Sequence, residues 1–308
     1  MRTFMSACIL TALASGCHSA PQANAAQADS AAAVTTDGKI PITTHSEQAR
    51  ALFLRGRALS DKLQLHTAHS AFEQAVAIDP SFAMGEYYLA TTAPTANDLA
   101  VHLRNALALA PNASPGERIF IELLDARSHA DRARQLQLAE SLVERYPRDE
   151  RAHLALASVY SAQQMRLETI AEYQKAIAID PEYSLAYNQL GFAYRAVNRL
   201  DSAESVFRRY IALVPNDPNP YDSYAELLMK MGRFDESIMQ YRKALSIDPH
   251  FGGSFVGIGA DQMYSGRYAA ASYELQQYYK SARDDSERRT ALLNLAMIDV
   301  DNHATDAA

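Results

Sequence analysis

Along most of this chain apolar residues recur at the three-and-four spacing of a helix face, and a proline closes each stretch at a regular interval. Pro147, Pro181, Pro215 and Pro249 are evenly spaced, and Pro80 and Pro111 continue the series upstream at slightly uneven steps. A period of about 34 residues marks one helix-turn-helix unit, which buries its apolar face only by stacking on its neighbours. The proline ends the second helix because it lacks the N–H to continue it and pushes the preceding residue out of the helical region. The pattern predicts an all-α chain from Ser46 onward, built of about seven antiparallel helix pairs with no strands.

Within each unit the residue sizes alternate as crossing helices require. The Ser184 to Asp217 unit places Tyr187, Leu190, Gly191 and Tyr194 on its first helix and Ala203, Phe207 and Tyr210 on its second. Small residues at Gly56, Gly191, Ala225 and Gly259 let two helices approach closely, and large residues one turn away fill the wedge. Gly232 and Gly266 supply the turn inside their pairs, and Asn198 stands at the same place. The middle is less regular. Residues 83–111 read as a shortened pair broken at Ala93-Pro94, and Ser114-Pro115 starts a helix running through Arg127. The helix from Asp131 to Tyr146 lacks the small crossing residue, so a locally altered twist is expected there. A last helix over 286–302, with Leu292, Leu293, Leu295 and Met297, is expected to cover the end of the stack, followed by a disordered tail at 303–308.

In this register the chain resembles tetratricopeptide-repeat (TPR) proteins from about residue 46 to 283, with Tyr187 at the usual tryptophan place. The resemblance implies a right-handed solenoid over 45–285 whose first helices line a concave groove. Positions 2, 5, 9 and 12 of a repeat would face that groove. Carried onto this sequence, they give a candidate partner-binding set of Arg57, Asn188, Phe192, Arg195, Asp222, Glu226, Met229 and Met263. The mixture of amide, charge and apolar side chain suits an extended segment or a helix of a partner protein. A co-chaperone clamp for a C-terminal carboxylate needs Lys at position 5 and Asn at position 9. Here those places hold Phe53 and Arg57, Leu154 and Ser158, or Asn188 and Phe192, which argues against that ligand.

The N-terminus changes the picture of where such a scaffold works. Arg2 precedes an apolar stretch from Phe4 to Ala14, too short to span a bilayer as a permanent helix. It ends in Leu13-Ala14-Ser15-Gly16-Cys17, which resembles the lipobox of bacterial lipoproteins. That resemblance implies a signal peptide over 1–17 and a lipid carried by Cys17, the thiol being the group that takes the diacylglycerol. Residue His18 after the cysteine favours the outer membrane by the same resemblance, with the folded body in the periplasm. Ala23-Asn24-Ala25 offers the alternative of ordinary secretion with cleavage after Ala25. Residues 18–44 are rich in Ala, Gln, Ser and Thr and read as a flexible tether.

Charge and cysteine content narrow the chemistry. The net charge of −7 is spread along the chain, which speaks against a nucleic-acid footprint. Both cysteines, Cys8 and Cys17, lie in the first 17 residues, so the repeats contain no thiol for a disulfide, a metal or a nucleophile. No P-loop, H-E-x-x-H, S-x-x-K or G-x-G-x-x-G motif occurs, and Gly252 to Gly257 has the wrong glycine spacing for a nucleophile elbow. His66 and His69 could share a helix face but have no evident third ligand. The expectation is a non-enzymatic scaffold without metal or cofactor, joined to the membrane by lipid and binding another envelope protein. The alternative is a regulatory or substrate-recruiting subunit of an envelope enzyme complex.

Overall fold

A computed structural model describes residues 37–306, with side chains as far as Asn302. The signal peptide, Cys17, Ala25 and most of the expected tether lie outside the described residues. Fifteen α-helices follow one another with no strand among the described residues. The first three pairs are α1 (Glu47–Ser60) with α2 (Leu65–Ile78), α3 (Ala83–Thr91) with α4 (Ala96–Leu109), and α5 (Pro115–Ser128) with α6 (Arg132–Arg145). Four regular pairs come next: α7 (Glu150–Ala162) with α8 (Arg166–Ile179), and α9 (Ser184–Ala196) with α10 (Leu200–Leu213). They continue as α11 (Asn219–Lys230) with α12 (Phe234–Ile247), then α13 (Gly252–Tyr264) with α14 (Tyr268–Ser281). The last helix is α15 (Asp285–Asp306). Each helix packs on the next in chain order, which is the stacking that the proline period predicts.

The period reappears in backbone geometry. Ala130, Gln164, Asn198, Gly232 and Gly266 all have positive φ, between 54° and 73°, and recur at the same even interval as the prolines. Each ends the first helix of its pair. The next residue's N–H reaches back to a carbonyl five residues earlier, as in Asp131 to Ala126, Arg199 to Tyr194 and Arg267 to Gln262. This is the left-handed helix stop that satisfies carbonyls the helix leaves open. Glycine makes it without steric cost at two of the five positions; Ala130 and Gln164 adopt it with a Cβ present.

A second recurring device explains the tyrosines at the tryptophan place. Tyr187 donates its hydroxyl to Pro181 O at 3.1 Å, and Tyr221 donates to Pro215 O at 3.0 Å. His153 Nε2 lies 3.1 Å from Pro147 O in the same relation. The closing proline has no N–H, and its carbonyl is taken up by the first helix of the following pair. The small-residue crossings are equally tight: a Cβ on Gly191 would stand 2.6 Å from the Phe207 ring, and one on Gly56 2.7 Å from Phe72. Any side chain there would force buried rings apart.

Two expectations are corrected at the ends. The tether was expected to run to residue 44, but residues 38–45 are fixed to the body as an extended strap. Ile40 N–H donates to Asp149 Oδ2 at 2.8 Å, Thr43 N–H to Glu117 Oε1 at 2.8 Å, and His45 N–H to Asp79 Oδ2 at 3.0 Å. Three carboxylates, from the first, third and fourth pairs, thus take up the N–H groups of a segment that carries no ladder of its own. At the other end, α15 continues through Asp306, so helix replaces the first part of the expected tail. Its inner face carries the buried Ala291, and its Leu295 and Ile298 pack on Ala271 and Leu275 of α14.

Candidate functional site

The odd-numbered helices share one surface, and a cleft of about 420 Å³ opens on it. Its apolar wall is Tyr87 and Tyr88 from α3, Phe120 and Leu124 from α5, Leu154 from α7 and Leu185 from α9. Arg127, Ser158 and Gln189 supply polar groups among them. The α1–α2 turn forms the remaining side, with Asp61, Leu63 and Leu65.

That turn is held in place from across the cleft. Arg151 grips Asp61 with both Nη1, at 3.0 Å, and Nη2, and its guanidinium lies 5.0 Å from the centre of the Tyr183 ring. Gln64 Nε2 reaches Asp217 Oδ2 at 2.9 Å, 153 residues further along the chain. Asp217 therefore serves the first pair and the sixth at once, since its Oδ1 also takes Asn219 N–H at 3.0 Å. Burial works against the Arg151 charge. The neighbouring Tyr183, Tyr88 and the bonds to Asp61 outweigh it and hold its pKa well above the ordinary arginine value. Arg151 Nε stays buried without an acceptor among the described residues.

The strap borders the same surface. Ile40, Pro41 and Ile42 lie beside Phe53, Arg57, Tyr88, Phe120 and Arg151. Arg50 Nη1 donates to Ile42 O at 2.9 Å, and Ile40 sits where a Cβ on Gly116 would stand 2.8 Å from it. The strap is an extended segment seated along the first four pairs.

The expected groove residues separate into three groups. Phe192, Arg195 and Glu226 come together: Arg195 stacks 4.9 Å above the Phe192 ring and pairs with Glu226 at 2.8 Å. Phe192 also lines a second hollow of about 310 Å³ with Gln164, Arg166 and Gln189. Asp222 and Met229 are partly exposed on α11, about one turn to either side of Glu226. Asp222 accepts Ser254 Oγ–H at 2.7 Å, and burial lifts its carboxyl to about 6 against that hydrogen bond.

The other three residues are placed differently. Asn188 is buried, 2% exposed, with its Oδ1 unpaired among the described residues. Met263 packs in the cluster of Ala271, Leu275 and Ile298 beneath the last helix. Arg57 lies half-buried over Phe53 beneath the strap, its pKa lowered by burial and by Arg151. Arg151 and Leu154 occupy repeat positions 2 and 5, so their place on the inner surface had a signal in the sequence. Phe120, Leu124 and Arg127 stand one full period before Leu154, Ser158 and Ser161, at repeat positions 5, 9 and 12, so they too had a signal in the sequence. Tyr87 lies in the shortened unit, where the period gives no register.

Among the described residues no group of three or more His, Cys, Asp or Glu side chains is placed to hold a metal ion. His69 instead meets Thr92 Oγ1 at 2.9 Å, and His153 and Glu172 face each other at 2.6 Å in the interior.

Comparison with known proteins identifies the repeat by sequence. The tetratricopeptide-repeat description matches residues 172–205 and again residues 219–251, so the chain carries TPR repeats. Anaphase-promoting complex subunit 3 of Schizosaccharomyces pombe is 24% identical over 155 residues. That stretch is 50% of this chain and 22% of the yeast protein, so the chain spans about a fifth of that relative's length. Similar solved structures include the MamA protein, at 21% identity and TM-score 0.45 over 52% of this chain and 88% of that one. A thermophilic TPR protein of Thermus thermophilus has 21% identity and TM-score 0.44 over 70% of this chain and 99% of its own. MamA from Desulfovibrio magneticus has 12% identity and TM-score 0.47 over 53% and 92%.

Proposed function

We propose that this chain is a non-enzymatic interaction scaffold that holds an extended segment of a partner protein on its inner surface. The observation that carries this reading is the strap. Residues 38–45 already lie extended there, with backbone N–H groups taken by Asp149, Glu117 and Asp79. Beside the strap, the cleft of Tyr87, Phe120, Leu124 and Leu154 offers apolar wall, and Arg127 and Gln189 offer polar contacts to a second extended chain. Phe192, Arg195, Asp222, Glu226 and Met229 extend the same surface along α9 and α11. The N-terminal pattern adds the place of work: Cys17 carries a lipid, and the scaffold stands in the cell envelope, on the outer membrane.

Photo-crosslinking in intact cells tests the surface. A crosslinking side chain at Arg127 or Gln189 is expected to capture one partner, and one at the exposed Leu167 or Met239 of the even-numbered helices is not. Capture only from the latter pair would refute the inner-surface reading. The anchor is tested separately by labelling with radioactive fatty acid: wild type should incorporate it and Cys17→Ser should not. An unlabelled wild type sinks the lipid anchor without touching the surface reading.

A further inference from the structure

The last helix keeps the register of the first helices before it. Ser286 stands one full period after Gly252, so Leu293 falls where Ala157, Gly191, Ala225 and Gly259 stand in the four preceding pairs. In those pairs the small residue receives the second helix, as Gly191 receives Phe207 and Gly259 receives Leu275. No second helix follows α15 among the described residues, and a leucine stands where the hollow would be. The surface that would have met it is open: Leu292, Leu293, Met297 and Val300 are 50%, 67%, 62% and 72% exposed. Arg289, Ala296 and Asp299 are exposed beside them. The opposite side of the helix, with Ala291 buried and Ile298 packed on Ala271 and Leu275, is what closes the solenoid. The outer stripe is therefore surplus to capping, and a solvated cap would carry polar residues there.

The stripe has the spacing of a two-helix seam. Residues 289, 293, 296 and 300 alternate by four and three, with Leu292, Met297 and Asp299 along its borders. We propose that this face pairs with the same face of a second copy of the chain, the two α15 helices running antiparallel about an axis between residues 294 and 295. In that register Leu293 of one copy meets Ala296 of the other, large against small. Leu292 lies beside Met297, and Arg289 lies beside Val300 and Asp299. Arg289 sits in the first half of the helix and Asp299 in the second, so antiparallel pairing sets these unlike charges against each other, whereas Arg288 is already paired with Asp285 of its own helix at 2.7 Å. Parallel pairing would stack Arg289 on Arg289. A face that is self-complementary in both size and charge under a twofold axis fits a second copy better than an unrelated helix. The contact spans about three turns, well below the ~1,600 Å² of a standard interface, so the pairing is weak and reversible.

Sedimentation velocity on the full chain from ~1 to ~300 µM should show a reversible monomer–dimer equilibrium. Leu293→Glu should weaken it at least ~10-fold with unchanged helical circular dichroism, since the residue is exposed. Arg289→Asp should weaken it, and Arg289→Asp with Asp299→Arg should restore it. Direction is read in a full chain with Cys8→Ser and Cys17→Ser. There a short bis-maleimide should join Val300→Cys to Arg289→Cys when the two variants are mixed, and should not join Val300→Cys to itself. A monomer at every concentration, a dimer indifferent to Leu293→Glu, or self-crosslinking by Val300→Cys would overturn the proposal.

Discussion

Arg151 on α7 and Asp61 at the end of α1 stand 90 residues apart in the sequence and meet as a two-pronged ion pair inside the cleft. With Gln64 and Asp217 they tie the turn of the first pair to the fourth and sixth pairs. Units of a repeat protein ordinarily touch only their neighbours. Here the inner surface is closed by contacts between distant units, and the size of the cleft depends on them.

Removing Asp61 should loosen that closure. Asp61→Ala leaves the Arg151 guanidinium largely buried without its carboxylate, at a cost of about 2 kcal/mol. Amide exchange resolved by segment should show the largest loss of protection at residues 59–65, with the distant α13–α14 pair unaffected. Uniform loss over the whole chain would mean that the pair serves the global fold rather than the closure.

Ala130 and Gln164 hold a left-handed conformation that glycine takes at Gly232 and Gly266. Ala130→Gly should therefore raise stability, by about 0.5–1 kcal/mol, because the strain relieved exceeds the added backbone entropy. Gly232→Ala should lower it by about 1 kcal/mol although its Cβ would meet nothing within 4 Å. Urea denaturation of the two variants beside wild type reads both signs.

Stability should depend on pH through two buried carboxyls. Burial lifts Asp222 and Asp261 to about 6 each, from 3.8. Asp261 is fully buried, and neither carboxyl oxygen has a hydrogen-bond partner among the described residues, since Ser237 gives its hydroxyl to Ala225 O. Between these values the folded state holds protons that the unfolded chain has released. The two groups therefore add stability as pH falls from 6 towards 4 and withdraw it as pH rises through 6. Asp79 has the opposite sign. Burial raises it, but hydrogen bonds from Ser81, Thr44 and the His45 and Ser81 N–H groups prevail and bring it to about 2. Its contribution is present above about pH 4 and is lost as pH falls towards 2. Asp222→Asn with Asp261→Asn should raise Tm at pH 7.5, with the gain shrinking by pH 4.5. A gain independent of pH would contradict the assignment.

The Arg195–Glu226 pair separates binding from folding. Both side chains are about one-third exposed, so Arg195→Glu should cost no more than about 1 kcal/mol of stability. It also strips the cation from the Phe192 ring, where a partner segment would lie. Affinity for the partner captured by crosslinking is expected to fall at least ~10-fold with Tm within a few degrees of wild type. Equal affinity would remove α9 from the binding surface.

The repeat pattern carried the count of about seven helix pairs, the turns at Asn198, Gly232 and Gly266 and the crossings of small on large residues. Those features recur with every period and depend on contacts within a pair or with the next one, so each repeat reports them again. Gly191 under Phe207 and the helix stops at Asn198, Gly232 and Gly266 were legible for that reason. Where the period fails, in the shortened unit of residues 83–111, no register could place Tyr87 beside Phe120, Leu124 and Arg127 in one cleft. The tertiary structure alone decided the rest. It buried Asn188, drew Met263 under the last helix, laid residues 38–45 across four units and joined Arg151 to Asp61 and Gln64 to Asp217. Each of these depends on a small rotation between successive pairs, summed over several units. That sum is fixed by packing at every interface together, and no local pattern of residues encodes it.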